Sequence, residues 1–149
     1  MIWASMAVGR RTARRQAVFA LYRLDLLKAS PEAALAGSMD GEADEYATDL
    51  LMGTIQHLET VDGLLDRHLE GWTLQRLGVL ERSVLRVSAY ELLFEKGTPE
   101  AVIIDEAVTL AKRYCSAEAS ALVNGVLGSI EAYTRGLEPG RRSQEEEQP

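Results

Sequence analysis

Cysteine, histidine, proline and aromatic residues are all scarce in this sequence of 149 residues. Cys115 is the only cysteine, so no disulfide can form within the chain, and a reducing compartment, the cytoplasm, is expected. The two histidines, His57 and His68, are eleven residues apart, which is ~16 Å along one helix and too far for a shared metal ion. No apolar run approaches the ~20 residues that span a bilayer. The sequence therefore predicts a cytoplasmic protein without a membrane segment, a metal site or a cofactor.

Acidic residues are missing from the first 24 positions, which hold five arginines. The other 125 residues contain eleven basic and all 23 acidic residues, so the net charge of −7 combines a start of +5 with a body of −12. An acidic body discourages indiscriminate binding to polyanions and confines their attraction to the basic end. This distribution disfavours a general, sequence-unspecific DNA-binding protein.

Apolar residues recur with the helical period throughout the chain, and no convincing alternating strand pattern is present. Helices are predicted over residues 10–28, 31–36, 44–69, 81–96, 99–114 and 116–133, with Ser30, Thr98 and Ser116 as N-caps. Gly53 and Gly63 each cost their helix ~1 kcal/mol relative to alanine, so the helix can break near either of them. The predicted fold class is therefore all-α, with six or seven helices.

The helix predicted over residues 81–96 is apolar on most of its faces, which places it in the middle of a core. Residues 10–134 are expected to form a single helical domain around it. Residues 1–9 are expected to be a flexible N-terminal extension. Residues 135–149 lack periodicity and are expected to form a disordered acidic tail.

Four arginines near the start, Arg10, Arg11, Arg14 and Arg15, follow a spacing that places them on one face of the first helix or just ahead of it. Positive charges at a helix N-terminus oppose the macrodipole. An anion would offset them, because free N–H groups and guanidinium forks both suit phosphate. The residues alone leave two interpretations open, a solvated charged face and an RNA phosphate site.

Other candidate chemistry does not assemble an active site. Cys115 has no histidine at motif spacing and is interpreted as a plain, partly buried thiol. Asp105 and Glu106 are interpreted as a solvated face rather than an acid/base pair. Asn124 and Gly125 continue a helical pattern, so they do not form a glycine-rich phosphate loop. We therefore expect that the protein is not an enzyme.

Five blocks of sequence follow one another between residues 10 and 130. They are Arg10-Arg-Thr-Ala-Arg-Arg-Gln-Ala-Val-Phe-Ala-Leu-Tyr22, Trp72-Thr-Leu-Gln-Arg-Leu77, Glu81-Arg-Ser-Val-Leu-Arg-Val-Ser-Ala-Tyr-Glu-Leu-Leu93, the block from Pro99 to Tyr114 that contains Ile104-Asp-Glu-Ala-Val-Thr-Leu-Ala-Lys112, and Leu122-Val-Asn-Gly-Val-Leu127. In this order and combination they resemble the NusB family of bacterial transcription antitermination factors.

The resemblance implies an all-α fold of two packed helical bundles. It also implies binding to the boxA element of nascent ribosomal RNA together with NusE, a small-subunit ribosomal protein, in a complex that lets RNA polymerase read through terminators. The RNA-binding positions it implies are Arg10, Arg11 and Arg14, extended here by Arg15, with Glu118 and Leu122. The positions it implies for the protein partner are Tyr22 and Glu81.

Three residues depart from the family pattern. Thr12 interrupts the arginine run and removes one phosphate contact. Leu122 stands where relatives can present an aromatic ring, so base stacking worth ~1–3 kcal/mol would be missing. Cys115 replaces a common glycine before the last helix. Residues 1–5 precede Met6 and have no counterpart in the family.

Two other functions and one assembly stay open at the level of sequence. The chain could be an RNA-binding domain like the one that precedes some ribosomal RNA cytosine methyltransferases. It could also be a helical module that acts through protein contacts alone. A homodimer could cover the arginine face and compete with RNA.

Overall fold

Seven α-helices and one 3-10 helix, with no strand, make up residues 2–37 and 44–136, which a computed structural model of the chain describes, with side chains from Gly9 onward. The α-helices are α1 (Ile2–Leu27), α2 (Pro31–Gly37), α3 (Glu45–Gln56), α4 (Leu58–His68), α5 (Val79–Phe94), α6 (Glu100–Tyr114) and α7 (Ala117–Gly136), and the 3-10 helix is Leu74–Arg76. The predicted all-α fold class is confirmed.

Helix α5 forms the centre of the fold. Its residues from Ser83 to Leu92 are buried without interruption, and it packs against α1, α3, α4, α6 and α7. Helices α1 to α3 form one bundle and α4 to α7 form the other, with α5 joining them. The predicted position of this helix in the core is confirmed, because a helix that is apolar on most faces can bury its surface only when neighbours surround it.

The first helix begins earlier than the sequence predicted. Helix α1 begins at Ile2, whereas the arginine pattern placed its start at Arg10, so residues 2–9 are helical rather than a separate extension. These residues include two alanines and one methionine, which are good helix formers. At the other end α7 continues to Gly136 and so includes the first two residues of the tail predicted over 135–149, while residues 137–149 lie outside the described residues.

The long helical segment after Asp44 is interrupted at His57, between α3 and α4. Neither glycine is the point of interruption. At Gly53 a Cβ atom would lie 2.2 Å from the ring of Tyr90, so this glycine lets α5 approach α3 closely. His57 therefore lies at a helix junction rather than within one helix with His68, and its ring packs 4.2 Å from that of Phe94, centroid to centroid.

Two of the three predicted serine and threonine caps are confirmed. The Ser30 hydroxyl accepts from the Ala33 N–H at 3.2 Å, and the Ser116 hydroxyl accepts from the Ala119 N–H at 2.9 Å. Thr98 was predicted to cap α6, and this is wrong. Its hydroxyl accepts a hydrogen bond from Arg10 instead, while Pro99 precedes α6 without a side-chain cap.

Charged residues on α5 join it to both bundles. Arg86 donates to Asp62 on α4 at 2.7 Å, and Arg82 donates to Asp25 on α1 at 2.7 Å. Each arginine is mostly buried, so the paired carboxylates offset the loss of hydration of its guanidinium. None of the helices in residues 2–37 and 44–136 is both long enough and apolar enough to cross a membrane.

We expect Gly53→Ala to destabilise the protein by about 1–3 kcal/mol, because the added methyl group overpacks the contact with Tyr90. The matched control is Gly63→Ala in α4, where an added Cβ meets nothing within 4 Å. Because alanine favours the helix more than glycine, this variant should be more stable than the wild type by up to ~1 kcal/mol. Urea denaturation of both variants measures the difference. Equal stabilities would contradict the close approach of α3 and α5.

Candidate nucleic-acid interface

The arginine segment of α1 lies against the start of α6 and the loop that precedes it. Arg10 donates from Nη1 to the Thr98 hydroxyl in that loop. Arg11 donates from Nε to Oε1 of Glu106, one to two turns into α6, at 2.9 Å. The basic part of α1 is therefore held at the beginning of α6 by contacts far apart in sequence.

The four arginines occupy different environments rather than one common face. Arg11 is the most open, with 65% of its side chain exposed. Arg10 and Arg15 are partly exposed. Arg14 is buried, with 5% of its surface accessible. Within the arginine segment, the side chains with accessible surface are thus those of Arg10, Arg11 and Arg15.

Arg14 forms a buried ion pair with Glu91 of α5. Its Nε lies 2.8 Å from Oε1, and its Nη2 lies 2.7 Å from Oε2, which is a bidentate geometry. The Tyr46 hydroxyl donates to the same Oε2 at 2.8 Å. Arg14, one of the predicted RNA-binding positions, therefore faces the core and not the solvent. The spacing places the four arginines on one face of the helix, but it does not tell which edge of that face a neighbouring helix covers.

Tyr46, near the start of α3, contacts Arg10 directly and is linked to Arg14 through Glu91. Its hydroxyl reaches the Glu91 carboxylate that Arg14 holds, and its ring lies 4.7 Å from the guanidinium carbon of Arg10. Burial, followed by the negative charge of Glu91, raises the pKa of Tyr46 well above its ordinary value. The hydroxyl therefore stays protonated and remains a donor at neutral pH.

A groove of about 700 Å³ opens between the arginine segment and α6. The described residues that line it are Arg10, Arg11, Arg14, Gly97, Thr98, Pro99, Ala101, Val102, Asp105 and Glu106. Arginines form one wall, and small or apolar residues contribute to the other. The arginine wall can bind an anionic group, and the apolar residues can contact an apolar part of the same ligand. Asp105 and Glu106 add negative charge on the α6 side.

A second groove of about 480 Å³ continues from the first, between α6 and α7. Ala101 and Asp105 line both grooves, and Ala121 and Asn124 of α7 line only the second. Leu122 follows the lining residue Ala121 in the chain, and its partly buried side chain packs against the core. Glu118 is exposed in the first turn of α7. The two predicted α7 residues are therefore separated from the arginines by α6.

The residues predicted to contact a protein partner lie where α1 and α5 are joined by an ion pair. Tyr22 is partly exposed on α1, one turn before Asp25, and Glu81 is partly exposed beside Arg82 at the start of α5. The bond between Arg82 and Asp25 holds these two helix segments together. Leu26, next to Asp25, adds exposed apolar surface at the same end of α1.

Cys115 is partly buried, as predicted. Burial, and then the charge of Glu81, raises the pKa of its thiol, which disfavours the reactive thiolate. In the part of the chain that the structure describes, no group of three or more histidine, cysteine or acidic side chains is placed to hold a metal ion.

Sequence reasoning missed Glu91, Tyr46 and Thr98, and it misplaced Glu106. Glu106 was expected on a solvated face, yet its side chain is 13% exposed and pairs with Arg11. One signal was available for Glu91, because an acid within a helix that is apolar all round requires a buried cation. The sequence offered no comparable signal for Tyr46 or Thr98.

We expect Arg14→Ala to destabilise the protein by about 3–5 kcal/mol, because the Glu91 carboxylate would be left buried without its cation. Arg11→Ala is the matched control, since its exposed pair with Glu106 contributes at most ~1 kcal/mol. Thermal and urea unfolding of both variants give the comparison. Similar stabilities would show that the Arg14 pair is not structural.

The comparison with known proteins covers most of the described chain. A model of the NusB family matches residues 11–132. The transcription antitermination protein NusB of an Exiguobacterium strain is 43% identical over 122 residues, covering 81% of this chain and 95% of the relative. The protein of the same name from Halalkalibacterium halodurans is 40% identical over 129 residues, covering 85% and 96% respectively.

Solved structures agree with the sequence comparison. NusB of T. maritima matches with a TM-score of 0.75 and 38% identity, covering 83% of this chain and 90% of its own. A chain from a crystal structure of antitermination factors NusB and NusE in complex with dsRNA matches with a TM-score of 0.76 and 31% identity, covering 84% and 97%. The family match, the identities and the shared helical fold agree, and this chain belongs to the NusB family.

Proposed function

We propose that this protein is a transcription antitermination factor that binds boxA-type RNA of nascent ribosomal RNA transcripts together with NusE. Within an antitermination complex with RNA polymerase, it would support transcription through terminators. The observation that carries the proposal is the acid-free, arginine-rich part of α1, held beside a groove with Arg10, Arg11 and Arg15 open to solvent to different degrees. Membership of the NusB family supports the same function.

The groove suits single-stranded RNA better than a rigid duplex. Guanidinium groups along one wall can neutralise phosphates, and the small and apolar residues near the start of α6 can face unstacked bases. Its continuation between α6 and α7 would extend the path toward Glu118 and Leu122. Since Leu122 offers no aromatic ring for base stacking, the arginines would supply a larger share of the affinity.

NusE is the proposed protein partner, and Tyr22 and Glu81 are the proposed contacts. A solved relative is a NusB from a complex with NusE and dsRNA, which supports this partner. The net charge of −12 outside the first 24 residues favours association with a basic ribosomal protein. The proposed role is binding, without catalysis.

We expect Arg11→Ala combined with Arg15→Ala to weaken binding of a single-stranded boxA oligonucleotide and to reduce the slope of log K against log salt by ~1.4 in magnitude, as expected for two lost phosphate contacts. Arg14 is kept, since its substitution would disturb the fold. Fluorescence anisotropy across a salt series, with and without purified NusE, measures both quantities.

The control for this measurement is Arg67→Ala, which removes an exposed arginine near the end of α4. Its affinity and salt dependence should equal those of the wild type. If the double variant also binds RNA like the wild type, Arg11 and Arg15 do not belong to the site. Binding to NusE without any RNA binding would favour the protein-interaction module instead. Light scattering with and without RNA would reveal a homodimer that competes for this face.

We expect Glu81→Lys to weaken binding to NusE at least tenfold, because a like charge would face a basic partner at the joined ends of α1 and α5. Glu59→Lys, which changes an exposed acid of α4 by the same charge, is the control. Isothermal titration calorimetry with NusE gives the affinities. Equal losses in the two variants would indicate a general charge effect and remove Glu81 from the interface.

A further inference from the structure

Arg10 differs from Arg11 and Arg14 in the kind of group that holds it. Arg11 pairs with the carboxylate of Glu106, and Arg14 pairs with that of Glu91. Arg10 takes part in none of the ion pairs among residues 2–37 and 44–136. It contacts the neutral hydroxyl of Thr98 and the ring of Tyr46. These groups restrict the guanidinium without cancelling its charge.

Tyr46 is anchored both at its backbone and at its hydroxyl group. Its backbone N–H donates to the side chain of Asp44, the N-cap of α3, at 2.8 Å. Its hydroxyl donates to Glu91 at 2.8 Å, and Glu91 is fully buried and held by Arg14. A rigid aromatic face is therefore presented to Arg10 at the wall of the groove.

We propose that Tyr46 is a positioning residue for RNA binding, which holds the guanidinium of Arg10 toward the groove so that Arg10 can anchor an RNA phosphate. The inference rests on the function proposed above. Arginine carries high rotamer entropy, and a guanidinium oriented beforehand loses less of it when the phosphate arrives. The aromatic face attracts the cation but leaves its N–H donors free for the phosphate.

Glu91 and Arg14 influence the ligand only indirectly, through Tyr46. Their bidentate pair fixes the hydroxyl end of Tyr46, and the ring of Tyr46 then fixes Arg10. Arg14 would thus contribute to RNA binding from the interior, without contacting RNA. Thr98 holds the other side of Arg10 and links it to the loop before α6.

A double-mutant cycle between Tyr46→Leu and Arg10→Gln tests the proposal. RNA affinity is measured by anisotropy for the wild type, both single variants and the double variant at one salt concentration. We expect Tyr46→Leu to weaken binding about 3–10-fold when Arg10 is present, as expected for the loss of a cation–π contact. In the Arg10→Gln background it should change the affinity by less than twofold. Equal losses in both backgrounds would overturn the proposal.

Tyr46→Phe separates positioning from folding. It keeps the ring and its contact with Arg10 but removes the hydrogen bond to Glu91, so we expect lower thermal stability and a loss of RNA affinity of about twofold, smaller than that of Tyr46→Leu. If Tyr46 had only a structural role, affinity would follow stability in both variants. Tyr46→Phe binding RNA as weakly as Tyr46→Leu, despite the intact ring, would therefore contradict the proposal.

The experiment also distinguishes this inference from the proposed function. If Arg10→Gln binds RNA like the wild type while the Arg11 and Arg15 double variant is weakened, the role of Tyr46 is overturned and RNA binding on this face stands. If the wild type does not bind the boxA oligonucleotide with or without NusE, both are overturned. A matched control is Tyr133→Leu, a partly exposed tyrosine of α7 that pairs with His68 and should leave RNA affinity unchanged.

Discussion

The buried carboxylate of Glu91 imposes the strongest constraint on this end of the fold. It lies on the central helix with no accessible surface, where an unpaired charge would destabilise the protein by several kcal/mol. Arg14 and Tyr46 satisfy it, and each belongs to a different helix of the first bundle. The carboxylate therefore fixes α1 and α3 against α5. This arrangement also sets the positions of the exposed arginines of α1.

Helix α5 carries a polar contact at each end. Glu91 lies near its C-terminus beside the arginine segment, and Arg82 lies near its N-terminus, bonded to Asp25 beside the proposed partner residues. The two residues are nine positions apart along the helix, which is ~14 Å. The apolar surface between these ends is buried on all sides, so the helix acts as a rigid spacer between the two proposed binding faces.

Much of the fold could be predicted from the sequence, because helical periodicity and the apolar character of α5 on all faces are local properties. The serine caps followed from local rules as well. The site was predicted less completely. The spacing of the arginines placed them on one helix, but it carried no information about α5 covering Arg14 or about Glu106 reaching Arg11. Gly53 resembled a helix breaker, and only the position of Tyr90 reveals it as a point of close helix contact.

The bidentate pair of Arg14 with Glu91 has a consequence for how freely the arginine segment can vary in evolution. A lysine at position 14 would keep the charge but could not reproduce the two parallel bonds of the guanidinium fork. A lysine at the exposed position 11 would still attract phosphate as a point charge. Positions 11 and 14 of one motif would therefore tolerate substitution differently, because the interior position requires the shape of arginine and the exterior position requires only a positive charge.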